Sequence, residues 1–532
     1  MIVLEEVYVV MHKQIEVVTR SNSRPQDIVL RTGVFYLHSI FKKLSPIRSK
    51  EDIMRHLFDD FNEHISNRLE KVNKLKEEGI NPYPYHYERE HTISEITTLD
   101  STYKIAGRVM LSRNMGKSCF LNLRDHSGEI QVYLNQKKVS AVIMANLEVG
   151  DIIGITGELF ETKTGEMTIR ATSLEILTKS IRPLPDKHKG LQDPEAKVRH
   201  RSLDMVMNPS VRDKLVKRAN GMAAIRSFMS ERGYLEMDTP VVDMSYGGGE
   251  AQPFVTTVNA LSSEAFLSVS PELYLKRYIV GGIDRVYTFS RSFRNEGIDK
   301  THYPEFTLFE CYQSYADYND MMDLMEHLYE HTFMTVNGTT KAVINEVEVD
   351  FKTPWKRVKM LDMVEEVFNI NLESMSDDML RELCERTIED TVPNHSRGEL
   401  IYELFEAECE HRIVDPTFII DYPYETSPLC KKHRDNENLI ERFEPFVVGI
   451  ELGNAYSELN DPIRQRELLY DQAEALRGGL DTASPMDEVF TKAIDIGMPP
   501  TGGLGIGIDR LMMFLTDSAH IKEVIGFPMV KR

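Results

Sequence analysis

The stretch 289–312, FSRSFRNEGIDKTHYPEFTLFECY, decides how the rest of the chain is read. Residues alternate from Tyr287 to Phe293, which predicts a strand that delivers Arg294 at its end. Gly297 and its polar neighbours predict a loop, and Phe306–Tyr312 a returning strand. Arg294, Glu296, His302 and Phe306 would then gather on one antiparallel hairpin. Such a set suits a nucleotide under attack at its α-phosphate. Arginine clamps phosphate or carboxylate and stabilises the charge of an in-line displacement. Phenylalanine can stack on adenine, and glutamate can accept from the adenine amino group.

A second stretch, Thr501–Arg510, reads TGGLGIGIDR and runs into the apolar LMMFL. Its glycines permit close approach of the backbone to a ligand. Arg510 falls where a helix start would add amide donors to the side-chain charge. On its own, a glycine-rich strand is equally a device for close packing. Neither stretch fits the commoner nucleotide signatures. Gly505-Ile506-Gly507 lacks the last glycine of GxGxxG, and Met115-Gly116-Lys117-Ser118 lacks the first glycine of a phosphate loop.

Taken together, the pieces are specific. FRNEG…H…PEF resembles motif 2 of the class II aminoacyl-tRNA synthetases, and GGLGIGIDR resembles their motif 3. Gly233-Tyr234-Leu235-Glu236…Thr239-Pro240 follows a predicted helix, Val211–Gly233, and resembles motif 1, which builds the dimer interface of that family. The resemblance covers roughly residues 60–532. It implies an α+β chain whose catalytic domain rests on an antiparallel sheet flanked by helices. It also implies ATP as substrate, Mg2+ beside its phosphates and a homodimer.

Towards the N-terminus the period of the sequence changes twice. Phe61, Ile65, Leu69, Val72 and Leu75 mark one face of a helix, with Gly79 as its C-cap and Asn81-Pro82-Tyr83-Pro84 beyond. Residues 102–178 instead alternate with period two between turn signals, the pattern of a small β-barrel or sandwich. Cys119, Leu121 and Leu123 should point inward, leaving Phe120, Asn122 and Arg124 outside with Gln131 of the next strand. The pattern leaves two readings of Phe120: a residue covered by another element, or a platform for a single-stranded base, where stacking is worth roughly 1–3 kcal/mol. The resemblance favours the second. It makes this region the anticodon-binding OB-fold of the aspartate/asparagine/lysine subgroup, with Phe120, Gln131 and Glu166 on the central anticodon base. The expected domains are an extension, 1–58; a helix with the OB-fold, 59–182; a linker, 183–207; and the catalytic domain, 208–532.

Within the subgroup, Pro271-Glu272-Leu273-Tyr274, Thr426-Ser427-Pro428-Leu429 and the run Asn454–Asp461 resemble the lysyl enzymes. A lysine substrate carries two ammonium groups and one carboxylate, so its pocket needs acids. The resemblance gives Glu272 to the α-ammonium, Glu458 and Tyr312 to the ε-ammonium, and Arg294 and Asn454 to the carboxylate. Gly248, Glu310 and Tyr456 complete that pocket. Arg294, Glu296, His302, Tyr303, Phe306, Glu444, Gly507, Asp509 and Arg510 would bind ATP, with Arg294 and Arg510 as the catalytic pair. Glu444 and Glu451 match positions that carry magnesium. Two details depart from the pattern: Cys430 stands where alanine is usual, and Gly249-Glu250 is unusual beside the pocket glycines.

Bulk properties bound these readings. The chain has 532 residues, enough for about three domains at roughly 150 residues each. A net charge of −21 removes any argument for RNA binding from bulk charge, though not from a local basic surface. Five scattered cysteines without CxxC spacing predict free thiols in a reducing compartment, the cytoplasm. No apolar run is long enough to span a membrane. Glu5, Glu6 and Glu16 argue against a secretory or mitochondrial leader. The expected partners are L-lysine, ATP, tRNA-Lys and a second copy of the chain. The rival activities are an asparaginyl or aspartyl enzyme of the same subgroup, a lysyl ligase acting on a protein, and an inactive RNA-binding or scaffold relative. Protein-modifying ligases of this kind lack an OB-domain, and the intact Arg294, Glu296, Glu458 and Arg510 weigh against inactivity.

Overall fold

The computed structural model describes residues 62–185, 191–249, 251–344, 346–388, 395–479 and 483–531. The expected extension, Phe61 and Glu250 lie outside the described residues. The chain divides into two compact units, Met1–Asp186 and Lys187–Arg532.

In the first unit, Asn62 caps helix α1 (Glu63–Glu77) by accepting from the Ile65 amide at 3.1 Å. Ile65, Val72 and Leu75 are buried, and the helix gives way at Gly79, whose φ of +74° suits a residue without a Cβ. Strands β1 (Thr102–Met115), β2 (Ser118–Arg124), β3 (Glu129–Asn135), β4 (Ile152–Glu161) and β5 (Met167–Thr178) close into a barrel of order β1-β2-β3-β5-β4. Only β3 and β5 run parallel. The alternation in the sequence is the cause of the barrel's inside and outside: Leu121, Leu123, Val132 and Leu134 fill the core, while Phe120 and Asn122 stay on the outer face. The expected OB-type barrel is therefore present.

The second unit begins inside the segment expected to be a linker. Asp193 caps a short helix, Pro194–Arg199, and Arg201–Met207 forms another. Arg201 is buried and donates to the carbonyls of Lys522 and Gly526, so the charges read as linker residues are spent on anchoring. Helix α2 (Pro209–Glu231) follows and ends before Gly233, which has φ +76°. After it come β6 (Leu235–Glu236), β7 (Val242–Asp243), β8 (Val255–Val258), β9 (Ser263–Leu267), helix α3 (Glu272–Val280), β10 (Arg285–Phe293), β11 (Glu305–Ser314) and helix α4 (Tyr318–Asn337). The remaining strands are β12 (Lys341–Ile344), β13 (Val347–Asp350), β14 (Lys356–Lys359), β15 (Thr417–Pro423), β16 (Leu439–Val447), β17 (Ile450–Glu451), β18 (Gly453–Ser457) and β19 (Thr501–Gly507), with helix α5 (Ile508–Leu515) after β19.

The main sheet has the order β14-β15-β16-β18-β19-β11-β10-β6, with β17 beside β16. Its centre is antiparallel, as expected, but β6 pairs parallel with β10 and β14 parallel with β15, so the whole is mixed. The reason is connection length. Tens of residues, helices among them, separate each parallel pair, whereas β10 and β11 are joined by a short loop. One face of the sheet packs on Phe228, Tyr329, Phe333 and Met512 of α2, α4 and α5. The other packs on Leu275 and Ile279 of α3, with Phe405 and Phe490. Strand β16, covered on both sides, is buried at every residue.

Candidate active site

Three neighbouring strands build the floor of one cavity. Glu310 of β11, Gly505 of β19 and Asn454 of β18 lie in register, as do Tyr312, Gly503 and Tyr456. The pleat sends Phe306, Leu308, Glu310 and Tyr312 to the cavity and Phe309 and Cys311 to the core behind. The cavity holds about 400 Å³. It gathers Arg294, Glu296, His302 and Phe306 from the hairpin, Glu272 from α3, Glu458 after β18 and Arg510 from α5. The glycine-rich strand serves a purpose the sequence did not show. A Cβ at Gly503 would overlap the Glu458 carboxylate and the Tyr312 ring, so the glycine makes room for the protein's own acid.

At one end the cavity is acidic. Glu272, in the first turn of α3, accepts from Lys276 Nζ at 2.6 Å and from the Tyr456 hydroxyl at 2.8 Å. Glu458, 1% exposed, pairs with the same Lys276 ammonium, and neither of its oxygens receives a well-aligned hydrogen bond from the described residues. Glu310 accepts from Ser270 Oγ at 2.7 Å and from the Tyr312 hydroxyl at 2.9 Å. Burial, then the charge of Glu272, pushes the Glu310 carboxyl up to about 8. Burial also raises Glu458 well above the ordinary carboxylate range despite Lys276. Tyr312 and Tyr456 are held neutral by burial and then by Glu272, so both remain donors. Gly248, with φ +76°, lies against Ser270 and Glu272 and brings its backbone to the cavity wall.

The other end is built for anions. The Arg294 guanidinium stands 5.3 Å from the centre of the Phe306 ring, and its Nε has no hydrogen-bond partner among the described residues. Arg510 donates to the carbonyl of Glu451 at 2.7 Å and pairs with its carboxylate at 3.0 Å. A second nitrogen of Arg510 lies 2.8 Å from His302 Nε2, and His302 Nδ1 lies 2.7 Å from Asp299. These contacts assign the tautomer: Nδ1–H donates to Asp299 while Nε2 accepts from Arg510. Burial would raise Asp299, but the Thr301 amide and His302 outweigh it and hold it down at about 2. Glu296 is exposed at the cavity rim, and Gly507 closes β19 as the N-cap of α5.

Three residues expected at the ATP site are engaged within the protein. Tyr303 is buried and its hydroxyl accepts from the Met529 amide. Asp509 accepts from the Thr307 amide at 2.7 Å and pairs with Arg218 at 2.5 Å, tying the hairpin to α5. Glu444 accepts from the Tyr422 hydroxyl at 2.8 Å and from Arg442 at 2.5 Å. Arg442 also reaches Asn454 at 3.2 Å, so it couples the two ends of the cavity. Sequence reasoning missed Arg442, Lys276 and Gly503. The Glu272–Lys276 spacing of four on a helix was the available signal for Lys276.

Glu444 is raised first by burial and, against Arg442, by the nearby Glu451 charge. Glu451 lines the cavity, whereas Glu444 is buried with one oxygen on Tyr422 and the other on Arg442. Magnesium is commonly held by one or two carboxylates, waters and substrate phosphates, a donor set that Glu451 fits directly. Among the described residues no group of three or more His, Cys, Asp or Glu could hold a metal ion.

On the barrel, Phe120 lies 5.1 Å from the Tyr133 ring, and Asn122 pairs across from Gln131. Gln131 accepts from Thr168 Oγ1 at 2.9 Å, and Glu166 is exposed in the turn between β4 and β5. Phe120 is thus half-exposed beside polar groups, as its strand position predicts.

Comparison with known proteins agrees with this geometry. Residues 193–531 match the family model described as tRNA synthetases class II (D, K and N), and residues 103–177 match an OB-fold nucleic acid binding domain. A lysine–tRNA ligase of Carboxydothermus hydrogenoformans is 44% identical over 483 residues, covering 89% of this chain and 99% of that protein. The lysine–tRNA ligase of Clostridium kluyveri is 44% identical over 91% of this chain and 99% of its own length. That of Christiangramia forsetii is 44% identical over 87% and 85%. With the motif hairpin, the glycine strand and the barrel all in place, the chain belongs to the class II tRNA synthetases of the aspartate, lysine and asparagine group.

Proposed function

We propose that this chain is a lysine–tRNA ligase: it activates L-lysine with ATP and transfers the lysyl group to the 3′ end of tRNA-Lys. The observation that carries the reading is the cluster of Glu272, Glu310 and Glu458, all buried at the end of a cavity whose other end holds Arg294 and Arg510. An aspartate side chain would bring a like charge to these acids, and neither it nor asparagine carries the second ammonium that Glu458, whose oxygens are short of donors, would pair with.

In the first step the lysine carboxylate attacks the α-phosphorus, and the bond to the bridging oxygen breaks to release pyrophosphate. Arg294 orients the carboxylate and stabilises charge at the phosphorus, with Phe306 under the adenine and Glu296 at its amino group. Arg510, fixed by Glu451 and His302, steadies the leaving phosphates. Glu444 and Glu451 would hold magnesium, which when bound would supply neutralisation of phosphate charge. In the second step a ribose hydroxyl of the terminal adenosine attacks the lysyl carbonyl and AMP departs. Both steps are positioning and electrostatics, so no protein nucleophile is required.

Phe120, Gln131 and Glu166 would read the central anticodon base by stacking and edge contacts. A second copy of the chain would cover Leu235, Val241, Val242 and Met244, which are exposed next to motif 1. The five cysteines, all free, fit the reducing cytoplasm. The decisive experiment is ATP–pyrophosphate exchange by the purified protein with each amino acid in turn. Exchange is expected with lysine, and exchange with asparagine or aspartate in its place would overturn the reading.

A further inference from the structure

Lys276 has no part in the chemistry above, yet it is a fully enclosed charge behind the acidic residues that line the cavity. Its side chain is 0% exposed, and its single ammonium bridges Glu272 and Glu458. Each of those acids keeps its other oxygen on the cavity side of the bridge: Glu272 Oε2 receives the Tyr456 hydroxyl, and Glu458 Oε1 lies over Gly503. Glu310 is the third carboxylate of the group and is held only by the neutral donors Ser270 and Tyr312.

Every other charged or titratable neighbour is accounted for. Arg442 is committed to Glu444, and Arg294 faces the place of the substrate carboxylate. Cys430, which pairs with Glu458 across a β-bridge, has its thiol held neutral by burial and then by Glu458. Tyr312 and Tyr456 are neutral. Three buried carboxylates therefore share one ammonium, an excess of two negative charges in a place where uncompensated charge is costly.

We propose that Lys276 is a positioning residue that sets the proton count of the amino-acid pocket: the free pocket keeps two protons on its three carboxylates, and the two ammonium groups of lysine displace them. The proposal rests on the lysine reading and deepens it. Lys276 keeps one carboxylate ionised and holds Glu272 and Glu458 together without like-charge repulsion. The substrate then makes up the balance, one ammonium for each proton released. The raised positions of Glu310 and Glu458 accord with protons held in the free state. A neutral side chain brings only one ammonium and leaves the balance short, which makes the count a device of specificity.

The test is titration calorimetry of the intact protein with L-lysine at about pH 6.5, in buffers of different ionisation enthalpy. The dependence on buffer gives protons released per lysine bound. The parent protein should release close to two. Glu272→Gln should release about one fewer, and Glu272→Gln with Lys276→Met the same as the parent. Lys276→Met alone should still release two, its third proton staying in the complex because lysine brings only two ammonium groups. One additional linked proton also steepens the fall of the lysine dissociation constant by about tenfold per pH unit. A merely structural role for Lys276 would weaken binding and leave the Glu272→Gln count unmoved when Lys276→Met is added. Equal counts in Glu272→Gln and the folded, charge-balanced double variant would overturn the proposal. If the double variant does not fold, a Glu272→Gln count equal to the parent's would overturn it. No lysine binding by the parent would instead sink the lysine reading itself, a result separate from equal counts.

Discussion

At the scale of single residues, the cavity separates two tasks that share one space. On the proposed reading Glu458 selects the side chain and Arg294 handles the carboxylate and phosphate. Glu458→Gln keeps shape and removes charge. Breaking a buried ion pair costs about 3–5 kcal/mol, so lysine activation should fall by roughly 100-fold or more while ATP affinity changes little. Measured losses of equal size for both ligands would contradict the assignment. The pH response follows from Glu310, whose carboxyl sits at about 8 in the free pocket. A bound ammonium favours the ionised form and lowers that value in the complex. Below it, binding must expel the Glu310 proton; above it, Glu310 has none to expel. The Michaelis constant for lysine should accordingly fall as pH rises from 6 towards 8 and less steeply beyond. A flat profile across that window in steady-state exchange would contradict the raised position of Glu310.

At the scale of elements, what was legible depended on whether the cause was local. The period-two runs of β2, β3, β10 and β11 declared their faces because the pleat alone decides which side a residue takes. The hairpin therefore delivered Arg294, Glu296, His302 and Phe306 to one cavity as the sequence implied. The parallel ends of the sheet and the two short helices at 194–207 were not legible, since both depend on partners far along the chain. Gly503 shows the difference most sharply. Its neighbours in sequence say only that the strand is glycine-rich; its neighbours in space, Tyr312 and Glu458, say why. Gly503→Ala should push Glu458 off its position without unfolding the sheet, because the added methyl meets a side chain and not a backbone. Lysine-dependent exchange should drop at least tenfold with circular dichroism unchanged. Retention of full activity would show that Glu458 has room the register denies it.

At the scale of the whole molecule, two units with separate cores carry two separable recognitions. The barrel core of Leu121, Val132 and Ile155 shares no residue with the two clusters flanking the catalytic sheet. On the proposed reading amino-acid activation uses residues of the second unit alone, and the choice of tRNA calls on the first. A change on the barrel's outer face should thus be silent in one assay and visible in another. Phe120 is the residue to change: it is half-exposed, lies tilted against Tyr133 and contributes nothing to the barrel interior. Loss of one stacked base is worth roughly 1–3 kcal/mol, or about 5- to 150-fold in affinity. Phe120→Ala should raise the Michaelis constant for tRNA-Lys by that range in aminoacylation and leave lysine-dependent pyrophosphate exchange within a factor of two. Equal loss in both assays would mean that the substitution had damaged the fold or that activation depends on the barrel. An unchanged tRNA constant would remove Phe120 from the anticodon site and return it to the other reading its strand allowed, a side chain covered by a neighbouring element.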